Sequence, residues 1–305
     1  EPLFFIGQLL SMGDNMDLPI ICPVCRAPLT WDERRVACPA DHTFDIGREG
    51  YVNLYRTSRR RSNQAGDSRD MLLARRAFLD AGWYARLSDR LNACVQDFTQ
   101  GKAPAGDTWQ VADIGCGEGY YLGRLMQALR ASSEEDRYSG CGMDIARDGV
   151  RYAARRYPDA RWCVANVAQD ILFADGSVDV ALSIFAPRFS AVIHRIMARN
   201  GLLLIVMPGP AHLTALKDQA MADVRDTGHK VQQELDKLLL HFNLVDQSSL
   251  TYPMTLKQPD LQHLYLMTPL YWRSTRKARE SIKNTPTMDI TTDFIILALT
   301  PKIST

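Results

Sequence analysis

Asp113-Ile-Gly-Cys-Gly-Glu-Gly119 carries the densest chemistry in this 305-residue sequence. The stretch follows an apolar run, Trp109 to Ala112, and leads into Tyr120-Tyr121-Leu122-Gly123-Arg124-Leu125, whose pattern is helical. A strand that ends on an acidic residue and turns through Gly115, Gly117 and Gly119 lets a ligand press against bare backbone. Any Cβ there would block the approach or forbid the dihedrals. The spacing differs from the Gly-x-Gly-x-x-Gly of dinucleotide binders, which seats a pyrophosphate on a helix N-terminus. It suits a ligand without phosphates, and S-adenosylmethionine is the leading candidate. A structural glycine-rich turn in some other α/β protein is the bland alternative.

A second constellation lies upstream. Cys22 and Cys25, then Cys38 and His42, form a C-x2-C and a C-x3-H pair. Zinc takes four N/S ligands in a tetrahedron, and two short-spaced pairs supply them without strain. Four protein ligands close the shell, so this zinc is structural. Two redox thiols or four unrelated residues are the alternatives. Cys94, Cys116, Cys141 and Cys163 share no such spacing and read as small buried hydrophobes. A module this small buries little core, so the metal supplies its folding energy. Just beyond it comes Arg56-Thr-Ser-Arg59-Arg60-Arg61. Arginines on a loop beside a zinc module can pair with phosphates, against the alternative of a solvated linker. On this division of labour, zinc removal abolishes RNA binding and leaves S-adenosylmethionine binding measurable.

The elements that must position these residues follow from periodicity. Between Asp67 and Phe98 the apolar residues recur at helical spacing, and Gly82 divides the run into two helices placed to lid a pocket. Strands fit 109–113, 138–144, 160–164, 178–184, 201–207, 242–250 and 291–299. Helices fit 119–131, 147–157, 189–198, 211–222, 231–240 and 258–267. The expected fold is therefore α/β, a Rossmann-like sheet covered on both faces, parallel except at one antiparallel edge, with a small N-terminal zinc module. In such sheets ligands sit at the carboxyl ends of the strands. That edge receives Asp144, at the tip of the second strand and suited to a ribose diol. It also receives Asn166 beside an adenine, then Phe185 and Arg188, and His212 at the start of a helix. The expected division is 1–19 as an extension, 20–60 as the zinc-binding RNA-recognition module and 61–305 as the methyltransferase domain, with 67–100 as its helical lid.

Bulk composition sets limits. The net charge is +1, so affinity for nucleic acid must come from local clustering. No apolar run approaches the roughly 20 residues needed to cross a bilayer. Leu3 to Leu10 resembles a signal-peptide core, but Glu1 precedes it and no basic segment does. Seven cysteines, an odd number, argue against a disulfide framework, and the chain reads as cytoplasmic.

Several segments together resemble one family. They are Cys-Pro-x-Cys at 22–25, Cys38…His42-x-Phe44-Asp45, Glu49-Gly50-Tyr51-Val52-Asn53-Leu54 and Gly66-Asp67-Ser68. Ala74-Arg75-Arg76-Ala77-Phe78-Leu79-Asp80-Ala81-Gly82-x-Tyr84, the glycine loop, Gly209-Pro210-x-His212-Leu213 and Met267-Thr268-Pro269 complete the set. In these the chain resembles the RlmA family of bacterial 23S rRNA guanine-N1 methyltransferases, closer to the Gram-negative type than to relatives that confer macrolide resistance. The resemblance implies m1G formation in a stem-loop of domain II, and a homodimer whose zinc modules help to form the RNA cleft. It implies Cys22, Cys25, Cys38 and His42 as zinc ligands, and Tyr84, Gly117, Glu118 and His212 as contacts to S-adenosylmethionine. Asp113, Gly115, Gly119 and Asp144 complete the expected cofactor set.

Guanine N1 lies on the Watson–Crick edge, so the base must be unpaired or flipped to react. Its proton needs an acceptor, for which Asp67 and His212 are candidates, with Asp67 equally suited to capping a helix. Phe185, Tyr120 or Trp272 are candidates to stack on the base. Two other functions use the same residues. One is methylation of a small molecule such as a quinone precursor, which would need neither zinc nor arginines. The other is a zinc-dependent RNA-binding protein that holds S-adenosylmethionine without catalysis. An NAD-dependent oxidoreductase is disfavoured by the glycine spacing.

Overall fold

A computed structural model describes residues 19–32, 34–55, 66–132, 137–220 and 227–303. The expected N-terminal extension up to residue 18 and the arginine run at 56–61 lie outside the described residues. Three short strands open the chain, β1 (Thr30–Trp31), β2 (Arg35–Ala37) and β3 (Thr43–Asp45), and pair antiparallel. A fourth, β4 (Tyr51–Asn53), departs from the expected division. It pairs parallel with β7 (Arg161–Val164) and becomes the edge of the large sheet.

Two helices follow. α1 (Arg69–Asp80) begins at Ser68, whose hydroxyl accepts a hydrogen bond from Met71 N–H at 3.3 Å. Ser68 is therefore the cap, not Asp67. Gly82, at φ +83°, separates α1 from α2 (Ala85–Thr99), a backbone conformation that costs glycine little. The sheet then grows through β5 (Trp109–Ile114), α3 (Tyr120–Ala131), β6 (Tyr138–Asp144), α4 (Arg147–Arg156), β7 and β8 (Val178–Ile184). It is completed by α5 (Ser190–Ile196), β9 (Met197–Pro208), α6 (Thr214–Ala220), α7 (Thr227–Leu238), β10 (Phe242–Lys257) and β11 (Thr287–Pro301). Between the last two strands lie α8 (Asp260–Leu266), α9 (Pro269–Arg273) and α10 (Arg276–Lys283).

The strand order is β10-β11-β9-β8-β5-β6-β7-β4. Strands β4 to β9 run parallel, while β11 is antiparallel to both β9 and β10. Every residue of β8 is buried, as expected for a strand covered on both faces. From β5 the chain winds first through β6 and β7, then returns to β8 on the other side. That reversal opens a crevice at the carboxyl ends of β5 and β8, where open α/β sheets bind ligands.

One face of the sheet packs on α1 to α4 and α8 through Phe78, Leu87, Leu125 and Tyr265. The opposite core joins Ile114, Cys141 and Phe173 to Ile20, Cys22, Val36, Val52 and Leu54 of the N-terminal module. Backbone bonds reinforce the join, from Ile21 N–H to Leu172 O at 3.0 Å and from Ala174 N–H to Pro19 O at 2.7 Å. Arg26 pairs with Asp170, which also accepts from Arg195 at 3.3 Å. The zinc module and the methyltransferase sheet thus share one core. Among the described residues no helix is long and apolar enough to cross a membrane.

Candidate cofactor pocket and zinc centre

The glycine loop is built from three left-handed residues: Gly115 (φ +82°), Gly117 (φ +57°) and Gly119 (φ +82°). A Cβ on Gly115 would lie 2.6 Å from Ala186 Cβ, and one on Gly119 would lie 2.6 Å from Ala153 Cβ. Both approaches are closer than carbon atoms tolerate, so glycine is required by space as well as by dihedral. Gly117 instead faces Arg75, whose Nη1 stands 3.2 Å from the position of its missing Cβ. Arg75 pairs with Asp67 and so ties the start of α1 over the loop.

Asp144 anchors this loop from the tip of β6. One carboxylate oxygen accepts Gly117 N–H at 3.0 Å and the other accepts Ala146 N–H at 2.7 Å. Burial pushes its pKa up, while these two amides pull it down. Asp113, near the end of β5, is only 2% exposed. Burial and the nearby Asp144 charge push Asp113 up to about 8, against the pull of the Leu122 amide. Asn166 uses its side-chain oxygen within its own turn, accepting Ala168 N–H at 3.1 Å.

Glu118 is 2% exposed, with neither carboxylate oxygen hydrogen-bonded. It is tucked toward Arg156 of α4, 3.9 Å away. Burial pushes its pKa up to about 7, against the pull of Arg156 and Arg75. An acid whose pKa is near 4.3 unfolded and 7 folded favours folding at low pH. That contribution is lost as pH rises from about 4 through 7. Glu118→Gln is therefore expected to melt above the wild type at pH 8, by on the order of a few kcal/mol. The advantage should vanish near pH 4.5, as thermal melts across that range would record. Parallel curves for the two proteins would show that the carboxylate is not strained.

On the other side of the loop lies an aromatic nest. Tyr84, Phe185, His212 and Phe294 have ring centroids 4.9 to 6.4 Å apart in successive pairs. Tyr84 is 3% exposed, and burial raises its phenol far above the ordinary value. His212 sits in the turn two residues before α6, not at the helix start as expected. That turn is pinned to β11: Asp293 accepts Ala211 N–H at 2.9 Å, and Leu213 N–H donates to Thr291 O at 2.8 Å. His212 Nδ1 accepts Asp293 N–H at 3.2 Å, so the neutral ring carries its proton on Nε2. Burial, with help from Lys217, pushes the imidazole down to about 4. A ring whose acceptor nitrogen is occupied and which stays neutral is a donor, not a base. Asp67, the other candidate base, is engaged by Arg75.

Phe185 is what the sequence left least distinct from a core aromatic. It follows β8 at φ +55°, is 41% exposed and stacks on His212 at 6.3 Å. A left-handed bulky residue is uncommon and marks a constrained functional turn. Because Ala186 abuts Gly115, the exposed ring stands beside the glycine loop. Of the two other stacking candidates, Tyr120 is buried and Trp272 lies on α9.

The zinc ligands meet in the N-terminal module. Cys22, Cys25, Cys38 and His42 place their donor atoms within 4.8 Å of one another. Cys25 Sγ lies 3.5 Å from Cys38 Sγ, which lies 3.3 Å from His42 Nδ1. Zn–S bonds of about 2.3 Å at tetrahedral angles imply edges of roughly 3.8 Å, so the cage fits zinc with little adjustment. Val24 N–H donates to Cys22 Sγ at 3.4 Å, the bond that steadies a thiolate in a tight turn. Cys38 and His42 flank the β2–β3 hairpin turn, so the small sheet spaces that pair.

Sequence comparisons agree with this geometry. Residues 20–63 match the family described as "RlmA, N-terminal", a zinc ribbon, and residues 111–201 match a methyltransferase domain. A 23S rRNA (guanine(748)-N(1))-methyltransferase of Streptomyces fradiae is 38% identical over 86% of this chain and 88% of its own. Putative 23S rRNA (guanine-N(1)-)-methyltransferases of Micromonospora griseorubida and Bacillus subtilis are 31% and 28% identical. They cover 83% and 90% of this chain, and 86% and 95% of their own lengths. The chain belongs to the RlmA family of 23S rRNA guanine-N1 methyltransferases.

Proposed function

We propose that the protein transfers a methyl group from S-adenosylmethionine to N1 of a guanine in a stem-loop of 23S rRNA. One observation carries this reading: in a chain of this family, a glycine cradle and an exposed, constrained Phe185 share one carboxyl edge of the sheet. S-adenosylmethionine, when bound, supplies an activated methyl group on its sulfonium. Asp144 orients the ribose, and the unpartnered Glu118 oxygens suit the amino group of the methionine end. Arg75, which stands 3.2 Å from the Cβ position that Gly117 lacks, suits the carboxylate of that end. Phe185 stacks on the extruded guanine, and neutral His212 backs the ring and offers its Nε2 proton. Most of the acceleration comes from holding N1 in line with the methyl carbon. The N1 proton passes to solvent water, since His212 Nδ1 and Asp67 are already engaged. The zinc module serves RNA recognition, α1 and α2 form the lid, and the enzyme works as a homodimer in the cytoplasm, beside its substrate. Sedimentation of the zinc-loaded protein tests the dimer.

The direct test is an incubation with methyl-labelled cofactor and a transcript of the stem-loop region, followed by digestion to nucleosides. The label should appear in 1-methylguanosine; label in another nucleoside, or in none, would reject the reading. Phe185→Ala should slow transfer to RNA on the order of tenfold to a hundredfold, since stacking on one aromatic ring is worth about 1–3 kcal/mol. Affinity for S-adenosylhomocysteine should stay within about threefold of wild type. Equal losses in both measurements would make Phe185 a wall of the cofactor pocket instead.

A further inference from the structure

The ribbon of β10 and β11 is longer than the sheet it joins. β11 pairs with β9 only from Phe294 to Leu299, whereas its pairing with β10 continues to Lys257↔Thr287. Residues 287–293 and 251–257 therefore project past the end of β9. Since β9 runs parallel to β8 and β5, they project on the side where the glycine loop and Phe185 lie. The tip carries α8, α9 and α10 and is fastened there by named bonds. Trp83 Nε1–H donates to Asp260 at 3.0 Å, and Tyr252 O–H donates to Trp83 O at 2.8 Å. Gln219 of α6 donates to Ser281 at 3.0 Å and Thr285 at 2.8 Å. The helix that follows His212 is thus the support on which α10 rests.

The outward face of this tip is basic. Between Thr268 and Asn284 stand Arg273, Arg276, Lys277, Arg279 and Lys283 against the single acid Glu280, in a protein whose net charge is +1. Ala278 and Ile282 are buried, which turns Arg276, Lys277 and Lys283 outward. Arg276 pairs with Glu280 at 3.0 Å, and Arg279 lies 4.5 Å over the Tyr271 ring. Arg273, Lys277 and Lys283 make no ion pair among the described residues. Trp272 is 51% exposed in their midst and stands edge-on to Tyr271, with ring centroids 5.2 Å apart. Charge alone would read as a solvated helix face. An exposed indole beside Arg273, Lys277 and Lys283, on helices carried to the carboxyl side of the sheet, matches single-stranded nucleic acid, which offers phosphates and unstacked bases together.

We propose that Trp272, Arg273, Arg276, Lys277 and Lys283 form a second RNA-contact surface. It lies on the opposite edge of the sheet from the zinc module and holds nucleotides flanking the target guanine. The cations take phosphates and Trp272 stacks on one unpaired base. The proposal rests on rRNA being the substrate. With both edges engaged, the RNA crosses the mouth between the zinc module at β4 and the helices beyond β11.

The test uses the full-length zinc-loaded protein and a transcript of the 23S rRNA stem-loop region, with affinity measured from about 50 to 200 mM salt. Trp272→Ala should weaken RNA binding about tenfold, and affinity for S-adenosylhomocysteine should not move. The triple variant Arg273→Gln, Lys277→Gln, Lys283→Gln should reduce the slope of log affinity against log salt by about two, since each phosphate contact to a single strand contributes roughly 0.7. Unchanged RNA affinity and slope in both variants would overturn the proposal. So would a shift from dimer to monomer on Trp272→Ala, which would assign the face to a second copy of this chain. A wild-type protein that failed to bind the transcript would overturn the substrate reading, and this surface with it.

Discussion

Chelating the zinc is expected to lower the melting temperature of the whole protein in one transition, by on the order of 10 °C. The sequence suggests two separable modules, with metal loss confined to the smaller. The shared core argues otherwise. Ile20, Cys22, Val36, Val52 and Leu54 pack with Cys141 and Phe173, so the sheet face they cover would be exposed when the ligand turns loosen. A structural zinc contributes several kcal/mol of folding energy, and each kcal/mol moves the midpoint of a large domain by about 2–4 °C. The effect should also reach the cofactor. Arg147 Nε–H donates to the Tyr51 hydroxyl at 2.9 Å, linking β4 to the first residue of α4, three residues beyond Asp144. Cofactor affinity should therefore fall measurably in the metal-free protein. Calorimetric melts with and without chelator, paired with S-adenosylhomocysteine titrations, check both points. Two separate transitions with unchanged cofactor affinity would show the modules to be independent.

Asp144→Ala should cost at least a hundredfold in cofactor affinity. The carboxylate accepts Gly117 N–H and Ala146 N–H, and hydrogen bonds to a charged acceptor contribute about 1.5–3 kcal/mol each. Removing it frees the glycine loop and, on the proposed reading, deletes the ribose acceptor in one step. Asp144→Asn should be nearly as damaging. Its amide can still accept from one backbone N–H, but it turns a donor toward the other. Titration with S-adenosylhomocysteine measures both variants, and an affinity within threefold of wild type would remove Asp144 from the binding machinery.

Much of this arrangement is legible in the sequence because it rests on local rules. The glycine loop needs positive φ, which only glycine supplies cheaply, so Gly115, Gly117 and Gly119 announce themselves. Zinc ligands announce themselves by spacing, and strands β5 and β8 by apolar runs. The break at Gly82 between α1 and α2 is local in the same way. What escapes the sequence depends on distant partners. β4 is three residues long and gains its identity from β7, more than a hundred residues later. α10 buries only Ala278 and Ile282, too few positions to set a period. Arg75 looks like any helix-surface arginine until α1 is laid over Gly117. His212 looks like a base until Asp293 N–H is found on its Nδ1. Phe185 reads as core because exposure and a strained φ are properties of the folded turn, not of the residue type.

The central claim is that one guanine of 23S rRNA acquires a methyl group on N1. A methyl there blocks Watson–Crick pairing, so reverse transcriptase must stop one nucleotide short of the modified base. Primer extension on rRNA from cells with the gene should give a single added stop, at one guanine of 23S rRNA, and deleting the gene should erase it. Identical traces from the two strains would contradict the account.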